Sequence, residues 1–407
     1  MPLAVAGGHF DVSLLLLGAL LVLGSLVSGI ARRTFLSLAA LFVLAGFALG
    51  AGGLGVLHFH ARSAFTSELA TVALIVILFR DGLEVDAELL QTHWSLPLRK
   101  LVLAMPLTMG LVALVARYLV GLTWPEALLL GALLSPTDPV LSSSVVTNPR
   151  VPRVIRHSLN LESGLNDGLA LPAVLAFAAL LGGGGGHFVW WRFIFDSLLL
   201  SFATGLVVGF VAARLMPREA GLMPAILPHQ KSLYALGTAF AAYGIAVLPP
   251  HGNGLIAVYV AAITLGIRRP DLRSHFTRQA EDLVEIVKLG VFVVFGSLLT
   301  LPGLFHDGLA AVGVVAFTLL VARPVAVFAA LVGTATDTAT RAFMGWFGPK
   351  GVATMTFSLL VLAQHGKGAV RLFDLAALAV FCSIVAHGAT DTAGAEWLAR
   401  RAEAASA

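Results

Sequence analysis

The chain has 407 residues, of which 58% are hydrophobic and only 12% are charged. A soluble domain carries about 25% charged residues, so this composition excludes an ordinary globular protein. A mean hydropathy of +0.92 indicates instead a chain whose solvent is the lipid bilayer. The net charge of +4 is too small to indicate a nucleic-acid-binding protein, and the single cysteine, Cys382, excludes an internal disulfide.

Apolar runs long enough to cross the hydrocarbon core, about 20 residues each, recur along the chain and predict thirteen transmembrane helices. In chain order they are 11–30, 35–57, 65–84, 99–120, 124–146, 159–181, 193–215, 231–249, 253–267, 281–301, 308–333, 341–363 and 373–390. Whether the short run 253–267 is a full crossing stays open at this point. No connection is long enough for a soluble domain, so the sequence predicts an all-α polytopic membrane protein.

The placement of the cationic residues predicts the orientation of the chain. With the N-terminus outside, eighteen of the 26 Lys and Arg residues are assigned to connections on the inner side, among them Arg80 and Lys100 near the inner ends of their spans. Five are assigned to connections on the outer side, and the remaining three, Lys288, Arg323 and Lys350, lie inside spans. Cationic residues concentrate in the cytoplasmic connections of membrane proteins. The bias therefore predicts an outer N-terminus and a cytoplasmic C-terminus.

Three of the predicted spans carry polar stretches that are costly in hydrocarbon and therefore indicate a functional site. The fifth span contains Ser-Pro-Thr-Asp-Pro at 135–139, the sixth contains Glu-Ser-Gly-Leu-Asn-Asp at 162–167, and the twelfth contains Gly-Pro-Lys-Gly at 348–351. Proline removes a backbone donor and disrupts a helix, and unwound backbone at membrane depth occurs only where protein or a cavity satisfies it. The sequence thus predicts that spans five and twelve are interrupted helices.

Helical rise places these stretches at a common depth. Asp138 and Asp167 each lie about 8 residues from the inner end of their span, roughly 12 Å deep, and the Gly-Pro-Lys-Gly stretch begins roughly 10 Å deep. Spans five and twelve run in opposite directions, as expected of two inverted repeats, 11–181 and 231–390, joined by the span 193–215. Where the interrupted helices cross, Asp138 and Lys350 can neutralise the partial charges at the half-helix ends, although a purely structural role for both stays open.

These motifs resemble those of bacterial NhaP-like monovalent cation/proton antiporters, the prokaryotic relatives of sodium/proton exchangers. The resemblance rests on Thr137-Asp138-Pro139, Glu162-Ser163 with Asn166-Asp167, Arg323-Pro324 and the late Gly-Pro-Lys-Gly, and it covers nearly the whole chain. It implies that Asp167 exchanges the cation and the proton, that Asn166, Thr137, Asp138 and Ser163 belong to the same site, and that the protein lies in a bacterial inner membrane as a homodimer. Lys350 stands where relatives often have Arg.

Two further residues take roles from this resemblance. It implies that Glu162 and Arg323 form a structural ion pair, although the predicted span boundaries leave the two side chains roughly 10 Å apart in depth. It also implies a place for Glu84 near the ion path. Because spacing and resemblance only partly agree for Glu162, an alternative position at the inner mouth of the ion path stays open.

The chemistry of the polar layer supports the same function independently of the resemblance. A small hard cation prefers oxygen ligands, and the layer offers the Asp167 carboxylate, the Thr137 and Ser163 hydroxyls and backbone carbonyls freed by prolines. One buried carboxylate can hold either a cation or a proton, which couples the two fluxes. Because Asn166 adds no second charge, one-for-one electroneutral exchange is expected.

The expected cation is Na⁺, with K⁺ and Li⁺ as alternatives and a cation channel as a competing function. An intramembrane enzyme is a weaker alternative, since no GxSxG motif surrounds Ser163. The sequence predicts no catalytic residue and no cofactor other than the transported ions. The expected partners are the lipid bilayer and a second copy of the chain.

Overall fold

The computed structural model describes residues 38–85, 95–138, 148–149, 151–182, 190–217, 226–249 and 251–406, together with five single positions before residue 38. Within these ranges every regular element is a helix. The helices are α1 (Leu38–Leu49), α2 (Ala64–Glu84), α3 (Ser95–Val120), α4 (Trp124–Leu134), α5 (Arg153–Leu181), α6 (Trp190–Leu215), α7 (Pro228–Val247), α8 (Gly254–Arg268), α9 (Pro270–Gln279), α10 (Glu281–Ser297), α11 (Leu301–Leu304), α12 (Gly308–Ala330), α13 (Thr338–Trp346), α14 (Val352–His365) and α15 (Val370–Ser406).

The all-α membrane fold is confirmed. Five helical runs in the described part of the chain are long and apolar enough to cross a bilayer: α3, α5, α6, α12 and the run from α14 into α15. Shorter apolar helices include α1, which precedes all five, and α4 and α8, which lie between them along the chain. The predicted span 11–30 and the end of the predicted span 124–146 fall largely outside the described residues, so the count of thirteen crossings stays a prediction.

Both predicted helix breaks lie within the described residues. In the fifth span, α4 ends at Leu134 and the chain continues without helical structure to Asp138. In the twelfth, five residues, 347–351, separate α13 from α14. The two breaks meet directly, because the backbone N–H of Asp138 donates to the carbonyl of Pro349 at 2.8 Å. The interrupted helices therefore cross at their breaks, as the sequence predicts.

Two predicted span ends and one connection differ clearly from the structure. The sixth span begins at Arg153 rather than 159, because Pro152 at the N-cap position starts the helix early. The last span extends to Ser406 rather than 390, and α9 between spans was not predicted. The doubtful run 253–267 is the 15-residue helix α8, and most of its residues are buried. Its shortness fits a helix packed mainly against protein, chiefly α6 and α2.

Glycines set the closest helix contacts. A Cβ added at Gly205 of α6 would lie 2.5 Å from the carbonyl oxygen of Ala257 in α8, and one at Gly209 would lie 2.6 Å from that of Ala261. Gly46 of α1 and Gly50, just after its end, meet the backbone of α10 in the same way. The equal four-residue steps on α6 and α8 show that these two helices run parallel.

Replacing Gly205 by Ala should lower the thermal stability of the protein in detergent. The new methyl group would overlap backbone rather than a movable side chain, and overpacking of this kind costs about 1–3 kcal/mol. The matched control is Gly237→Ala in α7, where an added Cβ meets nothing within 4 Å. Gly237→Ala should leave the melting temperature unchanged or slightly higher, and equal losses in both variants would contradict the close α6–α8 contact.

Candidate functional site

The crossing of the two interrupted helices places opposite charges at the half-helix ends. Lys350 is completely buried, and its ammonium group donates to the carbonyl oxygens of Ser135 at 3.3 Å and Pro136 at 3.2 Å, just after the C-terminus of α4. The carboxylate of Asp138 accepts a hydrogen bond of 3.2 Å from the backbone N–H of Val352 at the N-terminus of α14. Each charged group therefore opposes the partial charge of the helix end that it contacts.

The local sequence makes these contacts possible. A Cβ added at Gly351 would lie 2.6 Å from the Asp138 side chain, so only glycine lets that side chain reach the start of α14. The Thr354 hydroxyl donates to the carbonyl of Leu133 at 2.9 Å, and the backbone N–H of Lys350 donates to the Ser383 hydroxyl at 2.8 Å. These bonds hold both breaks against each other and against α15.

Asn166 of α5 ties its helix to the first break. Its amide group donates to the backbone carbonyl of Thr137 at 2.7 Å and to the Thr137 hydroxyl at 3.0 Å. Because the carbonyl can only accept, this contact fixes which side-chain atom is nitrogen. The other amide atom, Asn166 Oδ1, is buried and has no hydrogen-bond partner among the described residues. One buried oxygen beside the break therefore remains available as a ligand.

Asp167 lies next to this oxygen in sequence and is 8% exposed. In the described part of the chain its carboxylate makes neither a hydrogen bond nor an ion pair. The charged groups that act on it electrostatically are Asp81, Asp138, Arg80 and Lys288. Asp167 is thus a buried carboxylate that faces two others without a partner of its own.

Sequence reasoning missed the α2 and α10 side of this site. Asp81 is buried and pairs with the neighbouring Arg80 at 2.6 Å. The sequence analysis assigned Arg80 to an inner connection, whereas the structure places it inside α2, and it assigned no role to Lys288, which lies buried in α10. The sequence did contain a signal for this part of the site, because the charged pair Arg80 and Asp81 lies inside the apolar run 65–84. Ionisable groups within a span indicate a functional role.

Two other predicted site residues lie at the edge of this arrangement. Ser163 is half-buried in α5, and its hydroxyl makes no hydrogen bond within the described ranges. Glu84 is the last residue of α2 and is exposed. Asp81, nearly one turn earlier on the same helix, is buried, and the place of Glu84 near the ion path stays a prediction.

Tyr259 of α8 covers the helix that carries Asp167. Its hydroxyl donates to the carbonyl of Gly164 at 3.0 Å, and its ring lies where a Cβ of Gly168 would be. Gly168 is therefore the position that allows the ring to pack against α5. This contact orients the α5 backbone on both sides of Asp167.

Glu162 belongs to a buried cluster of three charges. Its carboxylate lies 2.9 Å from the Arg323 guanidinium and 2.6 Å from the Lys100 ammonium group, and all three residues are buried. The depth gap inferred from the sequence closes because α5 begins six residues earlier than expected, at Arg153. Lys100, which the sequence analysis assigned to an inner connection, lies within the long helix α3.

The three-charge cluster predicts unequal losses of stability. Glu162→Gln strands two buried cations, whereas Arg323→Gln leaves Glu162 with Lys100. Removing one member of a buried pair costs about 3–5 kcal/mol, so the detergent melting temperature should fall most for Glu162→Gln. The double variant Glu162→Gln/Arg323→Gln should lose less than the sum of the single losses. Additive losses would show that the charges do not interact.

The fold and the site define a class: a multi-pass membrane transport protein built around two discontinuous helices. The chain belongs to the sodium/hydrogen exchanger family, because the family model described as "Sodium/hydrogen exchanger, transmembrane" matches residues 18–393.

Relatives cover almost the whole chain. The K(+)/H(+) antiporter NhaP of Alkalimonas amylolytica is 25% identical over 403 residues, covering 95% of this chain and 67% of its own length. The K(+)/H(+) antiporter NhaP2 of Shewanella sp. (strain MR-4) is 24% identical, covering 94% of this chain and 66% of its own. The chain therefore spans about two thirds of the length of these relatives.

A solved structure has the same fold. The sodium proton antiporter MjNhaP1 from Methanocaldococcus jannaschii matches with a TM-score of 0.82 and 19% identity, covering 96% of this chain and 99% of that one. At this identity the likeness concerns the fold.

Proposed function

We propose that the protein is a secondary antiporter that exchanges a monovalent cation, in the first place Na⁺, for H⁺ across the membrane. Asp167 carries the cation and the proton in turn. The observation that carries this proposal is the position of Asp167 beside the crossing of the two interrupted helices. It is a buried carboxylate, and within the described ranges neither it nor the adjacent Asn166 Oδ1 has a hydrogen-bond partner.

The atoms around Asp167 suit a small hard cation. Such ions take oxygen ligands, and the site offers the Asp167 carboxylate, Asn166 Oδ1, and the Thr137 hydroxyl and carbonyl. Both Thr137 oxygens already accept from Asn166, yet each retains a second lone pair. The Ser163 hydroxyl completes the proposed set. Asp138 and Lys350 are assigned to the breaks, where they stabilise the half-helix ends rather than the ion.

The charge arrangement supports one-for-one exchange. Asp81 is paired with Arg80 at 2.6 Å, and Asp138 is hydrogen-bonded to the start of α14. Asp167 is therefore the carboxylate left to alternate between a proton and a monovalent cation, and its charge is balanced equally by either. We infer from this that the exchange is electroneutral.

The identity of the cation has two candidates. The structural relative is named a sodium proton antiporter, whereas the relatives in Alkalimonas and Shewanella are named K(+)/H(+) antiporters. The chemistry of the oxygen ligands fits either ion. K⁺ is therefore the second candidate, and proton-driven uptake measured with each ion in turn distinguishes the two.

The proposal also covers the membrane location, the orientation and the oligomeric state of the protein. The bias of Lys and Arg toward one side supports an outer N-terminus and a cytoplasmic C-terminus in the bacterial inner membrane. A homodimer, with each copy carrying its own site, completes the proposed assembly.

Replacing Asp167 by Asn should abolish exchange while the protein still inserts and folds, because the exchanging charge is lost and the side-chain volume is kept. The measurement is proton-driven cation uptake into proteoliposomes, alongside the melting temperature. The matched control is Asp196→Asn, which removes a carboxylate from an exposed pair with Arg192 in α6 and should transport normally. Near-normal exchange in Asp167→Asn would remove the basis of the proposal.

The rate of exchange should not respond to an imposed membrane potential. The mobile site carries the same charge with a cation or with a proton, so a potential set with valinomycin should leave the sodium flux unchanged. Potassium uptake cannot be the readout in this assay, because the clamp itself moves potassium. If the flux follows the potential, a second titrating group takes part, and Asp81, which faces Asp167, is the first residue to replace.

A further inference from the structure

An apolar groove lies on the surface of the α6–α8 pair, away from Asp167. It is lined by Leu206, Val207, Phe210, Thr264 and Arg268 and has a volume of about 300 Å³. Gly205 and Gly209 hold the two helix backbones in close contact behind it. Val207 and Phe210 are largely exposed, which at membrane depth means that they face lipid. The groove is therefore open to the acyl-chain region of the bilayer.

A cationic side chain stands at one end of the groove. The Arg268 guanidinium lies 4.5 Å from the centre of the Phe210 ring, a cation–π contact. The side chain is exposed, and among the described residues it makes no hydrogen bond or ion pair. The neighbouring Arg269 differs: it is buried, pairs with Asp271 at 2.8 Å and donates to the carbonyls of Met216 and Pro217.

A second arginine lies at the same end. Arg214 follows Phe210 by one helical turn on α6, and it is exposed without an ion pair in the part of the chain that the structure describes. Because α6 and α8 are parallel, with Gly209 opposite Ala261, the C-terminal ends that carry Arg214 and Arg268 lie side by side. Two guanidinium groups with no ion pair among the described residues thus stand where the apolar groove ends.

We propose that this groove binds an anionic glycerophospholipid. One acyl chain lies along Leu206, Val207 and Phe210, and the headgroup phosphate lies between Arg214 and Arg268. Arginine is suited to phosphate because its planar group donates two parallel hydrogen bonds. Along the groove, an apolar surface is followed by cations at the helix ends. A lipid has the matching order, because its acyl chain is followed by its anionic headgroup. This site is separate from the proposed transport site.

Charge complementarity favours a lipid over a second copy of the chain. The two cations would need an opposing acidic patch from a protein partner, whereas the leaflet at this end supplies anionic phosphates at the required depth. Each arginine near an anionic membrane surface contributes about 1 kcal/mol, or about fivefold in affinity. Loss of both should therefore weaken binding about 25-fold.

Lipid retention by the full-length protein tests the proposal. The protein is purified in a non-ionic detergent, phosphatidylglycerol or phosphatidylcholine is titrated in, and bound lipid is measured by native mass spectrometry with the melting temperature in parallel. We expect the wild type to retain and be stabilised by phosphatidylglycerol in preference to phosphatidylcholine. Arg214→Gln/Arg268→Gln should lose about 25-fold of its affinity for phosphatidylglycerol and become indifferent to the headgroup charge.

Matched variants separate this site from general surface charge. Arg192→Gln removes an exposed cation from the opposite end of α6 and should bind phosphatidylglycerol like the wild type. Val207→Trp fills the groove while leaving both arginines in place, and it should lower binding because the acyl chain has no room. Glycerol phosphate, which has no acyl chain, should not stabilise the wild type.

Three results would overturn the proposal. The first is unchanged phosphatidylglycerol binding in the double variant, and the second is equal losses in the double variant and Arg192→Gln. The third is a change of oligomeric state in the double variant with unchanged lipid binding, which would assign the groove to a contact between copies. Each readout is a binding or mass measurement, so it stands whether or not the protein exchanges cations.

Discussion

The structure depends on one constraint: unwound backbone at membrane depth must be satisfied inside the protein. The breaks at 135–138 and 347–351 free backbone groups from the hydrogen bonding of a continuous helix. They are satisfied by each other, through the bond from Asp138 N–H to the Pro349 carbonyl, and by charges, with Lys350 on one helix end and Asp138 on the other. The two helices can be interrupted only because they cross, and the crossing creates the polar layer in which Asp167 lies.

Beside the crossing, the Glu162 cluster supports the same region from another side. Arg323 follows a widened turn of α12, formed by residues 318–322, and its guanidinium occupies the space that a side chain at Gly348 would need. The cluster holds two cations against one carboxylate, and the Lys350 ammonium group adds a further positive charge to this region. The carboxylates Asp81, Asp138 and Asp167 form a second charged group, in which Arg80 and Lys288 are the cations.

A feature of this arrangement could be predicted from the sequence where it depends on neighbouring residues alone, and could not where it depends on how distant helices pack. The breaks were predictable because proline and glycine act locally, so their effect is readable from residues 135–139 and 348–351 alone. The Glu162 cluster was less predictable, because the assignment of Lys100 to a connection depended on the predicted end of a span. A shift of that end by a few residues moves a side chain from the membrane surface into the protein core. The pairing of Asp81 with Arg80, and its position facing Asp167, depends on how α2 packs against α5, which no local pattern specifies.

The packing around Asp167 also explains how coupling follows from electrostatics under the proposed function. A bare carboxylate in a buried site is costly unless it is paired, and Asp167 faces Asp81 and Asp138 while lacking an ion pair within the described residues. Binding of either a cation or a proton removes that cost. The empty, charged site is therefore the species least able to reorient through a low-dielectric environment, whereas both loaded forms are neutralised. Obligatory exchange then requires no gate beyond the charge of one residue, provided that the neighbouring carboxylates stay compensated by Arg80 and by the start of α14.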